Sequence, residues 1–222
     1  MNPKLTRLMI AFAVVSLGCQ DPEYGGEKGT LRLRFGLGGC TSVAASKSTL
    51  ARGGSNELLV GDKKLDSLRV EAASPAVVAT TKSTLSLECT TTQCNERQAT
   101  LPLDALTTGS GRIVFTDANG GEVDALTINV AEATSISVVD KDGHNAASFK
   151  LKDGGQLQAK LTGANGEVFA KTPFTWSVEG EVLKPIISKD SVVGVEANST
   201  GTSLVNVRFG ELSGSIEVKI TN

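Results

Sequence analysis

Apolar and polar residues alternate in short runs along most of the chain. The clearest alternating runs are residues 31–35, 126–130, 157–161 and 216–220. A period of two places one face of a strand in a core and the other face in water. Turn sequences such as Asp142-Gly143 and Asn165-Gly166 separate the runs. The pattern predicts an all-β protein of the sandwich or barrel type.

The strand pattern also repeats within the chain. Two pairs of segments carry the repeat: residues 108–115 with 200–207, at an offset of 92, and residues 126–130 with 216–220, at an offset of 90. A repeat of this length is about the size of one immunoglobulin domain. We therefore predict two tandem β-sandwich domains, residues 29–131 and residues 132–222, of which the first is the more divergent.

The N-terminal end of the sequence has a different pattern. Lys4 and Arg7 precede an apolar run, Leu8–Leu17, which as a helix would span about 15 Å, half of a bilayer core. Such a run is typical of a secretory signal peptide rather than of a membrane span. We predict that residues 1–18 are a signal peptide and that residues 19–28, which are polar and contain Pro and Gly, form a short tether.

The sequence Ser16-Leu17-Gly18-Cys19 at the end of the apolar run resembles a bacterial lipobox, in which the cysteine is lipidated and becomes the first residue of the mature chain. The resemblance implies a lipoprotein anchored to a membrane of the bacterial cell envelope through Cys19. Gln20 stands where enteric bacteria place Asp to retain a lipoprotein in the inner membrane, so the outer membrane is the expected location. Cleavage by an ordinary secretory peptidase is the alternative, because Ser16 and Gly18 suit that enzyme too.

Several segments of the second predicted domain follow one another in a characteristic order: residues 136–138, 155–159, 174–178, 191–195, 200–207 and 215–220. In these segments the domain resembles the bacterial immunoglobulin-like (Big) family of adhesins and surface lipoproteins. The first predicted domain resembles that family only in its second half. The resemblance implies a spacer or an adhesion module with a protein or polysaccharide partner.

Three cysteines, Cys40, Cys89 and Cys94, remain when Cys19 is assigned to the lipid. An exported protein can form disulfides. Cys89 and Cys94 enclose a short loop with no His nearby, which is a poor zinc signature. We predict a disulfide between Cys89 and Cys94. A bond from Cys40 to either of them, or free thiols, are the alternatives.

The segment Asp140–Asn145 begins like a calcium-binding loop, with Asp140 and Asp142 as candidate ligands. The calcium pattern requires an oxygen ligand at the fifth position and a Glu at the twelfth, where this chain has His144 and Leu151. An Asp-Gly pair between apolar runs is also what a tight turn needs. We therefore predict a turn without a metal ion, and we keep calcium as the alternative.

The amino-acid composition argues against catalysis and against a nucleic-acid partner. The net charge is −2, with acidic and basic residues spread along the chain, and His144 is its one histidine. No paired carboxylates, phosphate-binding loop or dinucleotide motif stands out, so we predict no enzyme activity and no cofactor.

The aromatic residues decide between two kinds of binding module. We predict Trp176 at the buried centre of the second sandwich, and a sugar-stacking role is its alternative. Tyr24, Phe169 and Phe174 are the aromatics expected outside the core. The leading function is therefore a non-catalytic envelope spacer or binding module. A carbohydrate- or peptidoglycan-binding module is the second choice, and a hydrolase is the third.

Overall fold

The computed structural model describes residues 25–36, 42–89, 96–151, 154–186 and 190–222. The predicted signal peptide, Cys19, Tyr24, Cys40 and Cys94 lie outside the described residues. Within those residues the only helical turn is a 3-10 turn at Ala45–Lys47, and the remaining regular structure is β. None of the described residues belongs to a helix with the length and apolar character needed to cross a membrane.

The first sandwich consists of two sheets. Its described strands are β1 (Arg32–Gly36), β2 (Ser42–Ala44), β3 (Thr49–Ala51), β4 (Ser55–Asp62), β5 (Ser67–Ala72), β6 (Val78–Ala79), β7 (Thr84–Ser86), β8 (Glu88–Cys89), β9 (Arg97–Ala105), β10 (Gly109–Thr116) and β11 (Glu122–Ala131). One sheet has the order β2-β1-β4-β9-β6, with β8 also paired to β9, and the other has the order β3-β11-β10-β5-β7.

The second sandwich also consists of two sheets. Its described strands are β12 (Ala133–Asp140), β13 (Ala146–Lys150), β14 (Gly154–Gly163), β15 (Gly166–Val168), β16 (Thr175–Glu179), β17 (Leu183–Ile186), β18 (Val192–Ala197), β19 (Gly201–Phe209) and β20 (Leu212–Thr221). One sheet has the order β12-β14-β18-β17, with β15 also paired to β14, and the other has the order β13-β20-β19-β16.

The two sandwiches share one topology. In each, the opening strand pairs antiparallel in one sheet, β1 with β4 and β12 with β14. A short following strand then crosses to the other sheet and pairs in parallel with the last strand, β3 with β11 and β13 with β20. The chain is thus all-β, with two immunoglobulin-like sandwiches in tandem, which confirms the predicted fold class.

The repeat seen in the sequence is also a repeat of strand register. Ile113 faces Leu126 across the β10–β11 pair, and Val205 faces Ile216 across the β19–β20 pair. These partners are related by the offsets of 92 and 90 found in the sequence. Because side chains alternate between faces, the same register puts equivalent residues on the buried face in both sandwiches.

Each sandwich has its own hydrophobic core. The members of the first core lie between residues 31 and 130, and all but one of the members of the second core lie between residues 136 and 220. Leucine dominates the first core, whereas valine and alanine are common in the second. Burying one Leu or Val side chain contributes about 1.5–3 kcal/mol. The division at residue 131 between two domains remains a prediction.

The burial of two aromatic residues in the second sandwich differs from the prediction. Trp176 lies on β16, the last strand of its sheet, where it is half-buried and packs against the core from the rim. Its indole N–H donates to the carbonyl of Asp190 at 2.9 Å, a partner that a rim position supplies more readily than an apolar centre. Phe174, expected outside the core, is only 3% exposed and lies 5.0 Å from the Phe209 ring between centroids.

Candidate functional site

The structure brings together the residues of the predicted turn after β12. Ligand atoms of Asp140, Asp142 and His144 all lie within 4.8 Å of one another. One Asp140 oxygen accepts the backbone N–H groups of Asp142 and His144 at 2.8 and 2.9 Å, and the other lies 3.1 Å from His144 Nδ1. The Asp142 carboxylate pairs with the Lys141 ammonium at 2.8 Å. Both acidic groups are therefore engaged in the turn itself.

These bonds also affect the titration of Asp140. The backbone N–H of His144 is the main cause that holds the pKa of the Asp140 carboxyl below its ordinary value, and the His144 ring and the backbone N–H of Asp142 add to it. A cation at this place would compete with those donors for the same oxygens. Metal binding by Asp140 and Asp142 remains the alternative, and the turn remains the preferred interpretation.

The other predicted site residues lie in different parts of the protein. Cys89 ends β8 beside Arg97 of β9 and is disulfide-bonded. Cys94 is outside the described residues, so the Cys89–Cys94 pairing stays a prediction. Phe169 is half-buried against the first core. Among the described aromatics, Phe169, Phe174 and Trp176 do not form an exposed stacking platform.

The sequence pattern did not single out Asp124 of β11, a completely buried acid with a structural role. Its Oδ1 accepts the backbone N–H groups of Lys28 and Ala125, and its Oδ2 accepts those of Thr30 and Leu31, each at 2.8 Å. A carboxylate that accepts several N–H groups has its desolvation offset by charge-assisted hydrogen bonds. We call Asp124 and residues 25–31 the N-terminal clasp, because the carboxylate fastens this segment to the sandwich.

Further contacts hold the N-terminal clasp in place. The Glu27 backbone N–H donates to the Ala125 carbonyl at 2.7 Å, and the Glu27 carboxylate accepts bonds from the Arg112 guanidinium and the Thr127 hydroxyl. The Arg112 bond, followed by that of Thr127, keeps the pKa of Glu27 below its ordinary value. At Gly26, a Cβ atom would overlap the Asp124 carboxylate, so the clasp closes over a glycine.

The N-terminal clasp includes part of the predicted tether. Residues 25–28 belong to the predicted tether 19–28, yet they form hydrogen bonds with β11 and ion pairs with β10 and β11. One sequence signal pointed to this contact. In the alternation of β11, Asp124 falls on the same buried face as Leu126 and Ile128, and an acid at a core-facing position needs a set of hydrogen-bond donors.

No family model matches this sequence, and no curated protein is significantly similar to it. Solved structures with a similar arrangement include bacterial surface proteins. Domains 5–6 of the S-layer protein SbsC are 17% identical, with a TM-score of 0.34, over 80% of this chain and 95% of that one. The Yersinia pseudotuberculosis adhesin InvE is 15% identical, with a TM-score of 0.34, over 80% of this chain and 57% of that one.

A third similar structure is the C-terminal 282-residue fragment of intimin, solved in complex with the intimin-binding domain of the translocated intimin receptor. It is 15% identical, with a TM-score of 0.31, over 79% of this chain and 62% of that one. The fold assignment for this chain rests on its own strand order and register.

Proposed function

We propose that the protein is a non-catalytic lipoprotein of the bacterial cell envelope, anchored through a lipid on Cys19 in the outer membrane. Its two sandwiches act as a spacer or as a binding module for a protein or polysaccharide partner. The signal-peptide pattern and the resemblance of Ser16–Cys19 to a lipobox support the anchor. The position of the N-terminal clasp supports the spacer or binding role.

The observation that carries the proposal is that the chain enters the first sandwich at the end opposite the second sandwich. Arg32, next to the clasp, pairs with Gly61 near the end of β4. Ser55, at the start of β4, donates its backbone N–H to the carbonyl of Thr172 in the second sandwich. The eight residues of β4 span about 25 Å, so the first sandwich separates the attachment point from the second.

The second sandwich extends this arrangement. Gly163, at the end of β14, lies against the Glu132 carbonyl beside the first sandwich, whereas Gly154 begins the strand at the far end. A strand of this length, ten residues, spans about 30 Å. A chain held at Cys19 would therefore present the far loops of the second sandwich up to about 55 Å from the clasp.

Cys19→Ala tests the anchor, with Cys40→Ala as the matched control. We expect Cys19→Ala to abolish incorporation of labelled palmitate and to move the protein from the membrane to the soluble fraction, because a single folded body without a lipid has little membrane affinity. The control should keep both the label and its place in the outer-membrane band of a density gradient. Palmitate on Cys19→Ala, or a band in the inner membrane, would contradict the corresponding part of the proposal.

A further inference from the structure

The two sandwiches are joined by more than the short connection between β11 and β12. Residues 49–55, which include β3 and the start of β4, lie against residues 169–172, which follow β15. We call these two segments the junction. Leu50 pairs in parallel with Phe169, and Ser55 pairs antiparallel with Thr172. The junction is thus a short stretch of β-type pairing between the two sandwiches.

Backbone hydrogen bonds run in both directions across the junction. The Ala51 N–H donates to the Phe169 carbonyl, and the Phe169 N–H donates to the Thr49 carbonyl, both at 2.8 Å. The Ser55 N–H donates to the Thr172 carbonyl at 2.8 Å, while the Ser55 carbonyl accepts the N–H of Lys171 at 3.0 Å. If the junction opened, these backbone N–H and C=O groups would lose their hydrogen-bond partners.

Each sandwich also contributes an apolar side chain to the core of the other. Ala51 belongs to the first sandwich by sequence, yet it is fully buried in the second core. Phe169 belongs to the second sandwich, yet its ring packs against the first core. A hinge motion at the junction would therefore expose apolar surface from both cores.

Gly54 and Ala170 face each other across the junction with no room for a further side chain between them. A Cβ atom on Gly54 would lie 2.6 Å from the Ala170 Cβ and 3.1 Å from the Ala51 carbonyl oxygen. Ala170 is itself only 6% exposed. A methyl group at position 54 would therefore force a shift of the two facing segments.

Two ion pairs lie around these contacts. Arg52 forms a two-pronged bond with Glu132, in the connection between β11 and β12, at 2.5 and 3.0 Å. Lys171 of the second sandwich pairs with Glu57 of the first at 2.7 Å. Exposed pairs contribute little to stability, so these two add only a weak restraint to the backbone pairing and the apolar contacts.

We propose that the two sandwiches form one rigid body whose relative orientation is set by the junction. Domains in series ordinarily move relative to each other unless their interface is well packed. Here the connection is short, since β11 ends at Ala131 and β12 begins at Ala133, and the junction adds backbone pairing and exchanged core residues. A partner bound at the far end of the second sandwich would thus be held at a fixed angle to the first. This inference concerns the fold and is independent of the lipid anchor.

Residual dipolar couplings of the purified, 15N-labelled protein test the proposal. We expect one alignment tensor to fit the amides of both sandwiches. Two clearly different tensors in the unaltered protein would overturn the proposal, and this measurement does not depend on whether any variant folds.

Three variants locate the cause. Gly54→Ala should give two different tensors, while the couplings of each sandwich alone still fit the structure of that sandwich. Adding Ala170→Gly, which removes the methyl group that Gly54→Ala meets, should restore a single tensor. Gly36→Ala is the matched control, because its Cβ would meet only Leu59 Cδ1 at 3.7 Å, and it should behave as the unaltered protein. A single tensor in Gly54→Ala would show that the close approach does not set the orientation.

Discussion

Replacing Asp124 with Asn tests whether the N-terminal clasp stabilises the first sandwich. The Asp124 carboxylate accepts four backbone N–H groups and is completely buried. Asparagine has nearly the same shape, but one of its two terminal atoms is an NH2 group. Two of the four N–H donors would therefore face another donor at a completely buried position. This substitution changes the hydrogen bonding while it nearly preserves the packing.

The size of the effect follows from the donors left without a partner. Each buried, unsatisfied backbone N–H costs about 1–3 kcal/mol, and loss of the charge weakens the remaining bonds. We expect Asp124→Asn to lower the free energy of unfolding by about 4 kcal/mol, a large part of the stability of an ordinary domain. With a urea dependence of about 2 kcal/mol per molar, the midpoint should fall by about 2 M.

Urea titration followed by far-UV circular dichroism measures this effect. Trp176 fluorescence reports the second sandwich and provides an internal reference that should move less. Hydrogen exchange should accelerate at two of the four amides that Asp124 accepts, either Lys28 and Ala125 or Thr30 and Leu31, because Asn keeps only one of the two acceptor oxygens. Asp117→Asn is the control, because that carboxylate accepts two N–H groups in the partly exposed turn between β10 and β11. A loss below about 1 kcal/mol for Asp124→Asn, or one equal to that of the control, would refute the reasoning.

Three further results are expected. Millimolar calcium should leave the melting temperature unchanged, because the turn carboxylates are already bonded within the turn; a rise of several degrees that Asp142→Ala abolishes would contradict this. Because Arg112 lowers the pKa of Glu27, the stabilisation by this pair is present at neutral pH and is lost as the pH falls through the lowered pKa. The Glu27→Gln variant, measured by thermal melting, should accordingly lose less stability on acidification than the unaltered protein. An equal loss in both proteins would count against a stabilising Glu27–Arg112 pair. Residues 132–222 expressed alone should fold cooperatively by tryptophan fluorescence but unfold at lower urea than in the full chain, since Phe169 loses the first core; an unchanged midpoint would argue against the junction contact.

The sequence by itself determined the strands, the two-sandwich organisation and the register of the repeated hairpins. This information is local, because a period of two follows from the pleat of a single strand, and turn residues mark where each strand ends. Ile113 and Leu126, with Val205 and Ile216, therefore occupy the positions that the repeat predicts. The alternation also places the turn at Asp140–Asn145 between two strands.

Tertiary structure alone decided which residues sit at the rim, which acid is buried and how the sandwiches meet. Trp176 and Phe174 are only two residues apart. Trp176 lies on the edge strand β16, whereas Phe174 lies just before that strand and belongs to no strand. Asp124 acquires its role from backbone groups more than 90 residues away. Gly54 has no room for a side chain because Ala170 and the Ala51 carbonyl approach it. Such contacts depend on how separate sheets stack in space, and no periodicity along one strand contains that information.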